Sequence, residues 1–366
     1  MNNISNKVVL LTNMPTPYRT PLFECLSKKV DDLVVVYCVE KESNRKWNVD
    51  LNSDSVNYIQ LKTKTIKYKN KYVHYSFDLL KIYRTYKDAT FIIGDASYNS
   101  YFLAAILKLL GKNYILWTGW TPTSFQQSKI GSYLKKQLLR HASVVLSYGT
   151  YTTKLISEYT SKKIINLYNS VDNSFYLKLK EEIKNKNKNM TNVRNIVYTG
   201  QLIERKNIKV LIEAVSLLDN INLILIGDGD QEYINDLIEL SKERLVNVTF
   251  EGNKKPKEIY EIYSRCECLI LPSLDEPWGL VINEALLFGL PVIVSHNVGC
   301  YHDLVVDGFN GYVVDPNKLE IKEAITKVFE SRFNSNDIIN KITNKSSIEI
   351  SADGFFEAIS LVARNE

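Results

Sequence analysis

A chain of 366 residues is longer than one ordinary core requires, and 45% hydrophobic with 24% charged residues is the composition of a folded globular protein of two domains. Its net charge of +5 hides an asymmetry: residues 1–190 hold 29 Lys and Arg against 14 Asp and Glu, a net of +15, while 191–366 hold 17 against 27, a net of −10. The longest apolar run, 102–110, is broken by Lys108 and followed by Gly111, which excludes a membrane span there.

The charge split suggests two bodies with different partners. The basic half would suit an anionic membrane surface, a lipid pyrophosphate or nucleic acid, unless its lysines are only loop usage. Five scattered cysteines (Cys25, Cys38, Cys266, Cys268 and Cys300) have no paired spacing and read as reduced thiols of a cytoplasmic protein. The N-terminus has no signal-peptide cleavage pattern.

In chain order, apolar runs at 8–12, 33–39, 90–94, 114–118, 144–147 and 164–167 predict strands, separated by helices such as 22–29, 98–110 and 130–141. Strands that are apolar throughout imply a parallel sheet covered on both faces. Ligands then sit at the carboxyl ends of the strands, so the loops 13–20, 95–98, 118–128 and 148–150 are the candidate lining. Tyr18 and Arg19 follow the first strand, and Arg19 would pair with an anionic group or stand as a solvated loop charge. Asp95 follows "FIIGD", either as a base for an acceptor hydroxyl or as a helix cap. Trp117 and Trp120 flank Gly119, where indoles stack on sugars as often as they fill cores. The basic amphipathic helix "SKIGSYLKKQLLRHAS", with the lysine-rich loop 62–72, would meet a membrane surface or present an ordinary solvated face. No nucleic-acid-binding pattern accompanies this charge.

The charged, low-complexity stretch 178–192 reads as a linker between an N-terminal domain at 1–177 and a second parallel α/β domain at 193–345. A last helix, in 346–366, would pack back on the first domain. Strands are expected at 195–199, 222–226, 247–251, 268–271 and 292–295. After the first of these, "TGQLIERKN" carries Arg205 and Lys206, adjacent cations suited to a diphosphate. Asp228 and Asp230 imitate a DxD metal motif, although a tight turn before a helix gives the same spacing. His296, Cys300, His302 and Asp303 are too irregularly spaced for zinc.

The densest chemistry lies in "LPSLDEPWGLVINEALLFGLPVIVS". Strand, acidic turn, helix and strand form a βαβ unit. Pro277 and Gly279 open the helix, the amides of Gly279 and Leu280 offer anion donors, and Glu276 and Glu284 offer acceptors for sugar and ribose hydroxyls. Phosphate donors beside diol acceptors suit a nucleotide sugar. There is no GxGxxG, GxxxxGK or GxSxG to support dinucleotide, P-loop or serine-hydrolase chemistry.

Here the chain resembles the family 4 glycosyltransferases of GT-B fold, α/β proteins with two Rossmann-like domains facing across a cleft. "EPWGLVINE" looks like their E-x7-E signature, and "GQLIERKN", "LILIGDGD", "VTFEGN" and "DGFNGYVV" fall in the family's order. The resemblance is dense in the second half and weak in the first, where "YNSVD" carries it. It implies a retaining, metal-independent transferase without a cofactor, moving a hexose-type sugar from a nucleotide sugar to a saccharide, with a lipid-linked acceptor in surface polysaccharide synthesis. Glu276 would contact the donor sugar and Glu284 the ribose. Arg205 and Lys206 would stabilise the leaving diphosphate, and Gly200, Gly279 and Leu280 would lie against the donor. Asn253 and Lys254 would line the base. Gln201 stands where the family often has arginine, and Thr118 where many members place a histidine. Sugar phosphorylases, nucleotide-sugar epimerases and non-catalytic relatives share this architecture and stay open.

Overall fold

The computed structural model describes residues 7–39, 49, 51–68, 71–94, 96–183 and 193–364. These form two compact units. The first holds the described residues up to Ser170 and those from Ile348 onward; the second runs from Val171 to Ser347.

The first unit contributes β1 (Lys7–Thr12), β2 (Asp32–Tyr37), β3 (Asn57–Gln60), β4 (Lys64–Tyr68), β5 (Lys71–Tyr75), β6 (Thr90–Gly94), β7 (Tyr114–Thr118), β8 (Val144–Ser147) and β9 (Lys163–Asn166). Seven of them make a parallel sheet in the order β3-β2-β1-β6-β7-β8-β9. Its strands β6, β7 and β8 are mainly apolar and buried along their whole length, as a sheet covered on both faces requires. The stretch 62–72, expected as a basic loop, instead lies largely in an antiparallel hairpin in which Lys64 pairs with Tyr75 and Tyr68 with Lys71. Thr65, Ile66, Tyr68, Tyr72 and Val73 are strong strand formers, and that preference outweighs the lysines between them.

The final helix, Ile348–Ala363, is part of this unit. Phe355 meets Trp117 edge-on at 5.0 Å, Ser351 donates to the Leu167 carbonyl at 3.0 Å, and Lys29 pairs with Asp353 at 2.7 Å.

The second unit holds β10 (Arg194–Thr199), β11 (Ile221–Ile226), β12 (Asn247–Gly252), β13 (Cys268–Leu271), β14 (Val292–Ser295) and β15 (Gly311–Val314). They form a parallel sheet in the order β12-β11-β10-β13-β14-β15. β10 therefore has its sequence successor β11 on one side and β13 on the other. That reversal of strand order is where open α/β sheets bind ligands, outside the carboxyl ends of the strands.

The unit begins before the expected linker. Residues 178–183 belong to the helix Asn173–Ile183, whose Leu179 and Ile183, one turn apart, are buried. Residues 184–192 lie outside the described residues.

Candidate functional site

The loops after β10 and β13 leave the sheet side by side and are tied together by the Leu274 amide donating to the Arg205 carbonyl at 2.8 Å. Glu204–Lys206 is a single 3-10 turn, ended by Asn207 in the left-handed region (φ 61°). Asn207 is anchored by its side chain to the Pro316 carbonyl at 2.9 Å. This turn sets two adjacent cations against the second loop. Lys206 Nζ donates to Glu276 Oε2, Arg205 Nη1 donates to the Asp275 carbonyl, and the same nitrogen lies 3.6 Å from Glu276 Oε2. The side chains of Lys206 and Glu276 keep 11% and 15% of their exposure, whereas Arg205 keeps 40%. Lys206 is matched by Glu276, while the Arg205 guanidinium reaches solvent with donors to spare: a place for an anion.

Glu276 sits on a loop braced from behind. Its amide donates to the Asn297 carbonyl at 3.1 Å, and its own carbonyl accepts from Gly299 at 2.8 Å. A Cβ at Gly299 would lie 2.0 Å from the Pro277 carbonyl oxygen, so only glycine allows the two loops to press together. Trp278 is buried next door and donates to Asn283, which in turn donates to the Ser346 hydroxyl. Gly279, at φ +93°, turns the chain into the helix Leu280–Phe288, and a Cβ there would meet Val298 at 2.9 Å. As at any helix start, the first amides have no partner within the helix, and they carry the positive end of its dipole.

Glu284 lies one turn further along that helix, in a different setting from Glu276. The residue as a whole is partly exposed, but its carboxyl is enclosed, and that burial raises its pKa from 4.5 to about 7. One hydrogen bond opposes the rise: Tyr176 donates to Glu284 Oε1 at 2.9 Å. Tyr260 donates to the main-chain carbonyl of Glu284 at 2.7 Å. Sequence reasoning did not find these tyrosines. Tyr176 lies just ahead of the stretch read as a linker, where only the spacing of Leu179 and Ile183 signalled a packed helix.

The remaining expected residues divide. The Gly200 amide is used inside the sheet, donating to the Ile226 carbonyl at 2.9 Å. Asn253 donates to Asp228 at 3.3 Å, and Lys254 pairs with Glu251 at 3.0 Å, both at the β12 end, two strands from β10. Asp230 caps the helix Gln231–Glu243, and Asp228 accepts from Gly229 and Asn253, so the DxD spacing is that of a turn and a cap. His296 is held by Asp315 at 2.7 Å and His302 stacks on Tyr301. Among the described residues no three His, Cys, Asp or Glu converge on a metal position.

In the first unit, Arg19 is buried. It donates to Thr12 at 2.7 Å and to Tyr148 at 2.6 Å, with its guanidinium 4.5 Å from the Trp117 ring centre. It is not a solvated loop charge. Tyr18 is half-buried beside it, 6.0 Å from that guanidinium. Trp120, expected at a cleft, is instead a core side chain: it is 7% exposed and packs on Phe125 at 5.7 Å. Thr118 is buried at the end of β7, and Asp95 lies outside the described residues.

Two Rossmann-like parallel-sheet units, the second with a cationic turn and a helix start at its switch point, define the GT-B class. Residues 180–345 match the family described as glycosyl transferases group 1, so the second unit carries the domain of that group. It is 26% identical over 336 residues to an uncharacterized 41.2 kDa protein in the cps region of Klebsiella pneumoniae, spanning 83% of this chain and 86% of that one. It is 28% identical over 227 residues to an O-antigen chain mannosyltransferase of Salmonella typhimurium, spanning 58% of this chain and 60% of that one. In fold it is similar to the Anabaena HepE protein solved with UDP and glucose, with a TM-score of 0.74, 17% identity, and coverage of 97% and 99% of the two chains.

Proposed function

We propose that the protein is a retaining glycosyltransferase that moves a hexose-type sugar from a nucleotide sugar to a saccharide acceptor in surface polysaccharide synthesis. The observation that carries this reading is the convergence of Arg205 and Lys206 on Glu276 at the β10–β13 switch point. In this role the two cations stabilise charge on the leaving diphosphate, where preorganised donors act most strongly. The amides of Gly279 and Leu280 face the same anion, and Glu276, already held by Lys206, orients sugar hydroxyls rather than attacking the anomeric carbon. Glu284 accepts the ribose diol. The departing diphosphate takes the acceptor proton on the face it leaves, which retains configuration, and no metal or cofactor is required.

The relatives support the setting: one lies in a cps region and another is an O-antigen chain mannosyltransferase. The neighbour solved with UDP and glucose supports a nucleotide-linked donor. A lipid-linked acceptor and a peripheral position on the cytoplasmic face of the membrane complete the reading. Its support is the helix Lys129–His141, where Ile130 and Tyr133 stay 76% and 60% exposed among lysines, a composition suited to an anionic bilayer surface. Among the described residues no helix is long and apolar enough to cross a membrane.

A thermal-shift screen of UDP-, GDP- and ADP-sugars tests the donor reading, because a donor at 100 times its Kd stabilises by about 2.7 kcal/mol. Sugar transfer or slow hydrolysis of the stabilising donor is expected without added phosphate. Turnover that depends on inorganic phosphate would make the protein a phosphorylase, and silence across the panel would overturn the reading. For the membrane part, sedimentation with phosphatidylglycerol vesicles but not phosphatidylcholine vesicles is expected, and Ile130→Asp with Tyr133→Asp should abolish it.

A further inference from the structure

The mechanism above leaves Tyr176 and Tyr260, the two tyrosines that hold Glu284, without a task. A buried carboxylate that must accept two vicinal hydroxyls has a geometric problem: its terminal torsion is broad, and nothing in the glutamate itself fixes the plane of the two oxygens. The structure supplies what would fix it. Tyr260 holds the Glu284 main chain through its carbonyl at 2.7 Å, and Tyr176 holds the carboxylate through Oε1 at 2.9 Å.

Tyr176 is itself secured. Its ring lies 5.5 Å from that of Tyr260 and 5.2 Å from that of Phe175. Its helix is pinned by Asn173 donating to the Ser346 carbonyl at 2.9 Å and by the buried Leu179 and Ile183. Burial, then the Glu284 charge, push its phenol well above the usual range, so it remains a donor at every working pH.

We propose that Tyr176 is a positioning residue for donor binding: its hydroxyl, by holding Glu284 Oε1, fixes the carboxylate plane so that the remaining lone pairs face the vicinal hydroxyls of the donor ribose. This rests on the assignment of Glu284 to the ribose in the reading above. A carboxylate has about four acceptor positions, so one bond to Tyr176 leaves room for both hydroxyls.

The same bond favours the ionised form of Glu284. Burial raises the carboxyl to about 7 and the Tyr176 hydrogen bond lowers it, so losing the hydroxyl moves the protonation of Glu284 to higher pH. The other titratable groups that feel its charge are Tyr260 and Tyr263 of the helix Pro256–Tyr263, and one turn along its own helix the Lys180 ammonium lies over Phe288 at 5.6 Å. On the far side, Ser335 meets the Gly289 carbonyl and Asn283 meets Ser346, contacts without charge.

The test measures the Kd of the stabilising UDP-, GDP- or ADP-sugar between pH 6 and 9 for wild type, Tyr176→Phe and Glu284→Gln. Wild-type affinity should weaken as pH falls through about 7, the folded pKa of Glu284. Tyr176→Phe should bind about tenfold more weakly at pH 7, as expected for losing a hydrogen bond to a charged group, with the break displaced to higher pH and a several-fold deficit persisting at pH 9, where the carboxyl is ionised in both proteins. Glu284→Gln should bind weakly at every pH, without a break. Wild-type affinity of Tyr176→Phe at pH 9, where the carboxyl is ionised in both proteins, would overturn the positioning role while leaving Glu284 in place. Wild-type affinity in Glu284→Gln, or no binding of any donor, would remove the ribose assignment and this role with it.

Discussion

The two parallel sheets end differently at their carboxyl edges. In the first unit, the polar side chain after β1 folds inward: Arg19 is held by Thr12 and Tyr148 and stacked over Trp117, with Trp120 in the core nearby. In the second, the corresponding turn after β10 leaves Arg205 partly in solvent and sets Lys206 against Glu276 from the neighbouring loop. The same strand-helix rhythm therefore yields one edge closed by aromatic rings and one carrying charge. Architecture places the strand ends, and the side chains that reach them decide which edge can bind an anion. Part of the positive excess of the first half lies on the exposed face of the helix Lys129–His141.

Lys206→Ala should sharpen this contrast most. It removes a cation from the proposed diphosphate site and leaves Glu276 without its closest partner. Turnover should fall by about 10²- to 10³-fold, the usual effect of deleting one preorganised donor, and the melting temperature should fall as well. Steady-state transfer with the donor identified by thermal shift checks it, and turnover within about threefold of wild type would break the contrast.

Glu284 gives the next effect, on stability rather than rate. A carboxyl raised from 4.5 to about 7 on folding binds its proton more readily in the folded chain than in the unfolded one. Its contribution therefore costs nothing below about pH 4.5, and the folded state loses stability as pH climbs through 7. Glu284→Gln removes that slope, so its advantage over wild type should grow with pH to roughly 3 kcal/mol at most. Urea unfolding at pH 5 and pH 8 measures the difference, and a gap that does not widen would show that the carboxyl is not buried in this way.

Arg19→Met probes the closed edge. Two hydrogen bonds and a cation–π contact are lost, so stability should fall by about 2 kcal/mol while kcat and KM stay within about twofold. A collapse in turnover with the melting temperature preserved would make the first unit's edge catalytic and erase the contrast.

The sequence showed the strands more clearly than the site. Runs such as Thr90–Gly94, Tyr114–Thr118 and Cys268–Leu271 are apolar because both faces of a parallel sheet are covered, and their bounds can be read directly. The hairpin β4–β5 was hidden because its lysines look like a solvated loop, whereas register depends on pairing that a single strand does not reveal. Arg205, Lys206 and Glu276 were visible because each follows a recognisable strand. Trp120 was not, since an indole is equally at home in a core or beside a sugar and only tertiary burial decides. Tyr176 escaped for another reason: its role depends on Glu284, 108 residues away, and no local pattern joins them.

The smallest expected effect concerns the turn between β11 and the next helix. Asp230 accepts from the Glu232 amide at 3.0 Å, and Asp228 accepts from Gly229 and Asn253. Both carboxylates are thus engaged in holding the chain. Asp230→Ala should cost about 1 kcal/mol, the ordinary loss of a helix cap, and leave kcat unchanged. Transfer should likewise persist in excess EDTA. Activity lost to EDTA and restored by Mn²⁺, together with a rate defect in Asp230→Ala larger than its stability loss, would turn this pair from a turn and a cap into a metal site. The charged edge would then extend one strand further, from β10 to β11.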